Sequence, residues 1–154
     1  MSFANKPQAW NPDPDTVHPA PPTYKQVAVT PLLPTSKLVT LAGQTGITPR
    51  DGSVSSTFRE QVQQAYRNVY ACLKAAGATP RDIVHVRHYI VQKTGDAGLD
   101  GKDVVDRGWG DLWCQFMDTE ADGHRPPDTV LGVAELAKKG LLYEVECWAI
   151  VHDT

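Results

Sequence analysis

The sequence predicts an α+β domain: one mixed sheet with two helices on one face. Three observations carry this expectation. Segments with strand-like alternation fall mostly next to one another, in the order β-β-(β)-α-β-α-β-β. Two stretches between them carry helical periodicity. The chain has 154 residues with 41% hydrophobic content, enough for one core but with too few elements to cover both sheet faces. Self-association is the economical cover, so a homo-oligomer is expected.

Residues 1–23 hold Pro7, Pro12, Pro14, Pro19, Pro21 and Pro22. That density removes backbone donors and fixes φ, which predicts an extended N-terminal arm ahead of a domain at 24–154. Trp10 is the largest apolar group of the arm. Either the arm is a loose tail, or Trp10 pins it to the body or to a neighbouring subunit. Lys25–Thr30 alternates as a first strand and Lys37–Ala42 as a second, with Pro31–Ser36 as the turn between them. Gly43-Gln44-Thr45-Gly46 closes that strand, with room for a short strand before the turn Pro49-Arg50-Asp51-Gly52.

Thr57-Phe58-Arg59-Glu60 fits a capping box, in which the Thr hydroxyl accepts from the third amide and the Glu reaches back. The helix it starts runs to about Ala76, with Phe58, Val62, Ala65, Val69, Cys72 and Leu73 as its apolar stripe and Gly77 as its stop. Asp82–Gln92 alternates as a strand, with Val84, Val86, His88 and Ile90 on one face and Ile83, His85, Arg87, Tyr89 and Val91 on the other. Val104–Met117 reads as a second helix weakened by Gly108 and Gly110. Thr129–Leu136 and Leu141–Val151 are the last strands, joined by Lys138-Lys139-Gly140.

Composition removes several function classes. The net charge is −3 and no basic block appears, so no nucleic-acid partner is expected. No apolar run approaches the roughly 18 residues of a bilayer span, and the start of the chain lacks the order of a secretory signal or an Arg-rich transit peptide. A cytoplasmic protein without a membrane partner is the expectation. Cys72, Cys114 and Cys147 are odd in number and form no CxxC pair, which argues against a disulfide framework or a zinc site and for small buried apolar groups. Neither a Gly-rich phosphate loop nor a nucleophile elbow is present.

The chemistry-bearing residues sit on the last two strands. Asp128, Glu144 and Glu146 are three carboxylates with no metal-ligand set around them, a composition suited to a small acid/base site. Glu144 and Glu146 share a strand face about 7 Å apart. Two carboxylates on a face that must be covered are costly unless paired or wet, which favours function over a plain exposed strand. Asp128 has an equally plain role available, bonding the amide of Val130 to end a turn. His85 and His88 point to opposite faces of one strand and read as packed, while His124 lies in a loop beside Arg125 at the border of the site.

The element order and five local strings resemble the Rid (YjgF-like) family of reactive-intermediate deaminases. The strings are Tyr24 with Gln26, Leu38–Gln44, Gln61–Gly77 followed by Asp82-Ile83-Val84, Trp113–Phe116, and Pro126–Val151, together roughly residues 24–151. The resemblance implies a YjgF/chorismate-mutase-like sheet, a homotrimer with pockets between adjacent subunits, and hydrolysis of imines and enamines to ketoacids and ammonia without metal or cofactor. Some members carry the label endoribonuclease.

Carried over by position, the pocket tyrosine of the family falls on Tyr24 and its water-positioning glutamate on Glu144, with Glu146 as the candidate if the Lys138–Leu141 turn is aligned differently. Ala42 stands where the family has a serine, Gly110 where it has an asparagine, and Asp128 where it has the arginine that clamps a substrate carboxylate. The Val130 backbone would hold the substrate, and Trp109 and Trp113 either line an enlarged pocket or belong to the core. An anion in place of the arginine repels a carboxylate by on the order of 4 kcal/mol at 4 Å and an effective dielectric near 20. Arg125, three residues earlier, points to the other face and does not replace the missing guanidinium.

The expected activity is therefore imine or enamine hydrolysis, or a related tautomerisation or ring closure, on a neutral or cationic nitrogen-containing molecule. Glu144 activates water or shuttles a proton, Tyr24 donates a hydrogen bond, and Asp128 binds the nitrogen. The alternatives are a metabolite-binding trimer without catalysis and an RNA-acting protein, the second disfavoured by the acidic balance.

Overall fold

The structure, a computed structural model, describes residues 7–153. Its strands are β1 (Ser36–Thr40), β2 (Gln44–Thr45), β3 (Ile83–Val91), β4 (Asp128–Val133) and β5 (Tyr143–His152), all in one sheet. The spatial order is β1-β5-β3-β4, and β2 continues β1 along the same edge of β5. Only β3 and β4 run parallel. Parallel neighbours need a crossover, and here it carries α2 (Ala97–Asp100) and α3 (Trp109–Glu120). With α1 (Phe58–Ala75), α3 covers one face of the sheet, as the α+β reading requires. Among the described residues, no helix is long and apolar enough to cross a membrane.

Thr57 starts α1 as expected, its hydroxyl accepting from the Glu60 amide at 3.3 Å. The other half of the capping box is replaced. The Glu60 carboxylate accepts from the hydroxyls of Ser55 and Thr57, and the Thr57 amide donates to Ser55 Oγ. Gly77, at φ 71°, closes the helix while the Ala78 amide reaches back to Leu73 O at 2.8 Å.

The buried stripe of α1 contains Phe58, Val62, Ala65, Val69 and Leu73, together with Gln61 and Tyr66. Gln61 is fully buried and ties the segment before α1 to the connection between β4 and β5. Its amide nitrogen donates to Ser55 O and Gly140 O, and its oxygen accepts from the Leu142 amide, each at 2.8 Å. The helix comes so close to the chain after β2 that a Cβ on Gly46 would stand 2.6 Å from Gln61 Cα.

Four sequence expectations are corrected and one element is added. Lys25–Thr30 is not a strand; it contributes one antiparallel bridge, Trp10 with Val29, closed by backbone bonds of 3.0 and 2.8 Å. Prolines on both sides leave too few donors for a longer ladder. The arm is thus pinned through the backbone of Trp10, whose indole stays half exposed. The second helix begins at Trp109, because Gly108 adopts φ 83° and leaves Val104–Asp106 as a separate 3-10 turn. A short α2, capped by the Asp96 carboxylate, was not foreseen. Ile83 faces the core, because an irregularity between Ile83 and His85 shifts the register. Finally, β4 and β5 do not pair with each other; β3 lies between them.

His88 lies in the middle of the covered face, stacked on Trp109 with ring centroids 4.4 Å apart and set against the edge of Trp113 at 5.1 Å. Both tryptophans are core residues, which settles the two readings of Trp113 in favour of the core. The Trp113 indole donates to Thr23 O at 3.1 Å and fastens the end of the arm to α3.

Replacing Gln61 with Leu leaves two carbonyls and one amide without their partner and should lower stability by about 1–3 kcal/mol in urea unfolding. An unchanged midpoint would show that water serves these groups equally well. Burial pushes the His88 pKa below its ordinary 6.5, against the pull of Asp128. The unfolded chain therefore takes up this proton first. The stability linked to His88 is complete above pH 6.5 and is lost as pH falls through the lower folded value. Unfolding free energies measured from pH 7.5 to 5 should fall less steeply for His88→Gln than for the parent chain; equal slopes would show that His88 is not the group that titrates.

Candidate functional site

The pairing of β3 with β5 sorts the polar residues into two sets. Arg87 lies opposite Glu146 and Tyr89 opposite Glu144, so these four side chains share the face that no helix covers. His88 lies opposite Val145 and Val86 opposite both Cys147 and Asp128, so Asp128 belongs to the helix-covered face. The expected grouping of Asp128 with the two glutamates therefore does not occur within one chain. That grouping assumed that β4 and β5 were neighbours.

On the uncovered face the two glutamates differ sharply. The Glu146 carboxylate accepts from Arg87 Nη1 at 2.9 Å and from the Tyr89 hydroxyl at 2.8 Å. Those bonds hold its pKa below the usual carboxylate value. The Arg87 guanidinium also lies 5.7 Å over the Trp148 ring. Glu146 is thus engaged in an ion pair with Arg87.

Glu144 receives no hydrogen bond from any described residue. Burial, and then the charge of Glu146, push its carboxyl above the usual value of 4.5. Its carboxylate lies against the backbone of Gly43, where a Cβ would fall inside the carboxyl group. Gly43 is thus the seat of Glu144. The neighbouring β2 keeps this seat in register, with Thr45 opposite Glu144 and Gln44 opposite Val145. Ala42, just before the seat, is exposed, and its carbonyl accepts from the Gln44 side chain at 3.1 Å.

The second set gathers around α3 and the start of β4. Tyr24 is partly exposed and follows Thr23, which meets α3 at Gly110 and Trp113. A Cβ at Gly110 would stand 3.0 Å from Thr23 Cγ2, so Gly110 admits the chain rather than opening space for a ligand. Val130 lies opposite His88 and packs against the core. The Asp128 side chain is only 2% exposed and points at His88, with Oδ2 3.6 Å from Nε2. Its expected turn-ending bond to Val130 is replaced by this inward orientation. Arg125 pairs with Asp118 at 2.5 Å and donates to Pro22 O at 2.9 Å, so it does not supply the missing guanidinium.

His124 Nε2–H donates to Ile83 O, 2.6 Å away, and His124 borders a cavity of about 390 Å³ between Pro7–Ala9 and the end of the sheet. None of the expected site residues lines that cavity. Among the described residues, no group of three His, Cys, Asp or Glu side chains is placed to hold a metal ion. Sequence reasoning missed Gly43, Arg87 and the partners of His88. The outward alternation of Arg87 and Glu146 was visible, but their pairing depended on knowing that β3 and β5 are neighbours.

The profile of the family described as Endoribonuclease L-PSP matches residues 16–151. A RutC family protein of Aquifex aeolicus (strain VF5) is 44% identical over 50 residues, 32% of this chain. The matched stretch is 40% of that curated relative, so the chain spans about two fifths of its length. The Rid family protein YyfB of Yersinia pestis superimposes with a TM-score of 0.72 at 24% identity, covering 94% of this chain and 99% of that one. TdcF of E. coli, solved with bound serine, superimposes at 0.62 with 21% identity, covering 86% and 97%. At these identities the two structures establish likeness of fold. The match of the family profile over nearly the whole length, in a chain that folds as Rid and YjgF proteins do, places this protein in the Endoribonuclease L-PSP family, the Rid (YjgF-like) family.

Proposed function

We propose that this chain is an enzyme acting on a small nitrogen-containing molecule by side-chain acid/base chemistry, with Glu144 as the proton-transfer group. The observation that carries this reading is the placement of Glu144: half-buried, unbonded, raised in pKa and seated on Gly43 beside an uncovered sheet face. A carboxyl raised toward the working pH both takes and returns a proton, as hydrolysis of an imine requires. In that reaction Glu144 takes a proton from water as the water oxygen attacks the imine carbon. That proton is delivered to nitrogen, giving a carbinolamine, and Glu144 then carries the carbinol hydroxyl proton to nitrogen as the C–N bond breaks, leaving a carbonyl compound and ammonia or an amine. Tautomerisation or ring closure of a related intermediate uses the same group without the water.

The substrate suited to this site is neutral or cationic. The arginine with which the family clamps carboxylates is replaced by Asp128, Arg125 is committed to Asp118, and Arg87 is committed to Glu146. The family description names an endoribonuclease, but two carboxylates on the candidate face and a net charge of −3 do not favour a phosphate backbone.

The site reads as one made between copies. Glu144 and Asp128 lie on opposite faces of their sheet, so a single pocket using both sets needs a neighbour. Leu38, Leu131 and Trp148 project from the uncovered face, 62%, 38% and 43% exposed. A homotrimer that buries this face and brings Tyr24, Asp128 and Val130 of one copy toward Ala42, Gly43 and Glu144 of the next satisfies both conditions.

Glu144→Gln should lower turnover of an imine substrate by roughly 10²–10⁴-fold while leaving the fold intact. Gly43→Ala, which dislodges the carboxylate, should approach the same loss. Full activity in either variant removes Glu144 from the mechanism, and ligand binding without turnover in the parent chain favours a metabolite carrier instead. Light scattering should give the mass of three chains for the parent and of one chain for Trp148→Glu. A monomeric parent would remove the shared pocket.

A further inference from the structure

The most deeply buried polar groups of the chain take no part in the chemistry assigned to Glu144. The Tyr66 and Tyr143 hydroxyls are 3.0 Å apart, and the Tyr143 hydroxyl is 2.6 Å from His88 Nδ1. On the other side of the ring, His88 Nε2 faces Asp128 Oδ2 at 3.6 Å; both atoms are sealed from solvent, and no other described group bonds to either. These four residues come from α1, β5, β3 and β4 and form one line across the covered face.

With Asp128 as the carboxylate, the protons in this line have two possible orders. In one, Tyr66 donates to Trp109 O, Tyr143 donates to Tyr66, and His88 Nδ1–H donates to Tyr143. That order leaves the bare lone pair of Nε2 against the oxygen of Asp128, two acceptors face to face in a water-free core. In the other, Tyr66 donates to Tyr143, Tyr143 donates to Nδ1, and the single imidazole proton sits on Nε2, aimed at Asp128. The distances around the phenols favour the second order: Tyr66 is nearer to the Tyr143 hydroxyl, at 3.0 Å, than to Trp109 O, at 3.3 Å, and 2.6 Å suits an O–H donating to an imidazole nitrogen. Burial keeps both phenols un-ionised and His88 uncharged, so the line is neutral up to the carboxylate.

We infer that Tyr66 and Tyr143 fix the Nε2–H tautomer of His88, and that His88 is the positioning residue holding Asp128 as an inward-turned carboxylate, whose charge makes the site reject anionic ligands. The specificity part of this inference rests on the reading of β4 as a wall of the substrate site. The tautomer part does not. The arrangement also explains why an aspartate is tolerated in the core against a histidine packed on two tryptophans: an oriented N–H dipole stands in for the missing cation.

The test uses the full-length protein in its native oligomer. Long-range ¹H–¹⁵N spectra of histidine-labelled protein at pH 7.5 should show His88, assigned by its loss in His88→Gln, as the neutral Nε2–H form. Tyr143→Phe removes only the donor to Nδ1 and should turn that signal into a mixture of tautomers. A neutral Nδ1–H form, an imidazolium, or no response to Tyr143→Phe overturns the relay. Pyrrolidine and proline, which differ by a carboxylate, probe specificity by calorimetry. Pyrrolidine should bind the parent more tightly, and Asp128→Asn should narrow that preference about tenfold. An unchanged preference with the His88 signal in place, or no binding of either probe, overturns the specificity role. Full activity of Glu144→Gln defeats the catalytic proposal while leaving the tautomer measurement intact, so the two failures are distinguishable.

Discussion

The register of β3 against β5 is the constraint from which the rest of the molecule follows. With Arg87 opposite Glu146, the whole of β3 has its odd-numbered residues from His85 outward and its even-numbered residues inward. A slip of one residue would turn β3 over relative to β5. Arg87 would then lie beneath α1 and α3 without its glutamate, and Val86, His88 and Ile90 would face solvent. Neither arrangement is tolerable: the first buries an unpaired cation, and the second empties the core. The ion pair of Arg87 with Glu146 and the aromatic cage around His88 are therefore two consequences of one pairing, and each guards the register for the other.

The same register gives the two glutamates of β5 different chemical characters. Both lie outward, two residues apart. Glu146 meets an arginine and a tyrosine from β3; Glu144 meets Gly43 from the segment leading into β2. A hydrogen-bonded carboxylate is a poor proton acceptor, and one without donors, half-removed from water, is a better one. Division of roles between paired carboxylates is a common route to acid/base chemistry, and here it needs no more than the identity of the cross-strand neighbour. Gly43 is as much a part of this device as the glutamate, since any side chain there would displace the carboxyl group.

The parts of the fold that were legible in the sequence are those in which one local pattern suffices. The α1 stripe and its Gly77 stop, the alternation along β3, and the strand of β5 each follow from spacing. What was not legible depends on order in space. Nothing in Thr129–Leu136 and Leu141–Val151 says that β3 enters between them, and the short Lys138–Gly140 connection reads naturally as a hairpin. The error had a direct functional price, because it put Asp128 beside Glu144. Likewise Lys25–Thr30 alternates well but has no neighbour with free donors beyond Trp10. Tyr143 and Tyr66 were seen as a strand residue and a helix residue; that their hydroxyls meet over His88 belongs to the packing of α1 on β5 and is absent from either segment alone.

The two polar sets are also unequal in what they ask of their surroundings. Glu144 and its neighbours are partly open, and water can serve them in an isolated chain. Asp128 cannot be served in that way: its charge is sealed against one imidazole, and 3.6 Å is too long for a full hydrogen bond. An anion so placed is stable only while every dipole along the line keeps its direction, which ties the protonation of the core to the packing of α1, β3, β4 and β5 together. The residue that stands in place of the family's arginine is thus more than a change of sign at a pocket wall. Its carboxylate points into the core, with His88, Tyr143 and Tyr66 in line behind it. Under the proposed specificity, a ligand approaching β4 from outside would meet not a side chain reaching toward it but the field of a buried carboxylate, and its selectivity would depend on the core that orients the charge.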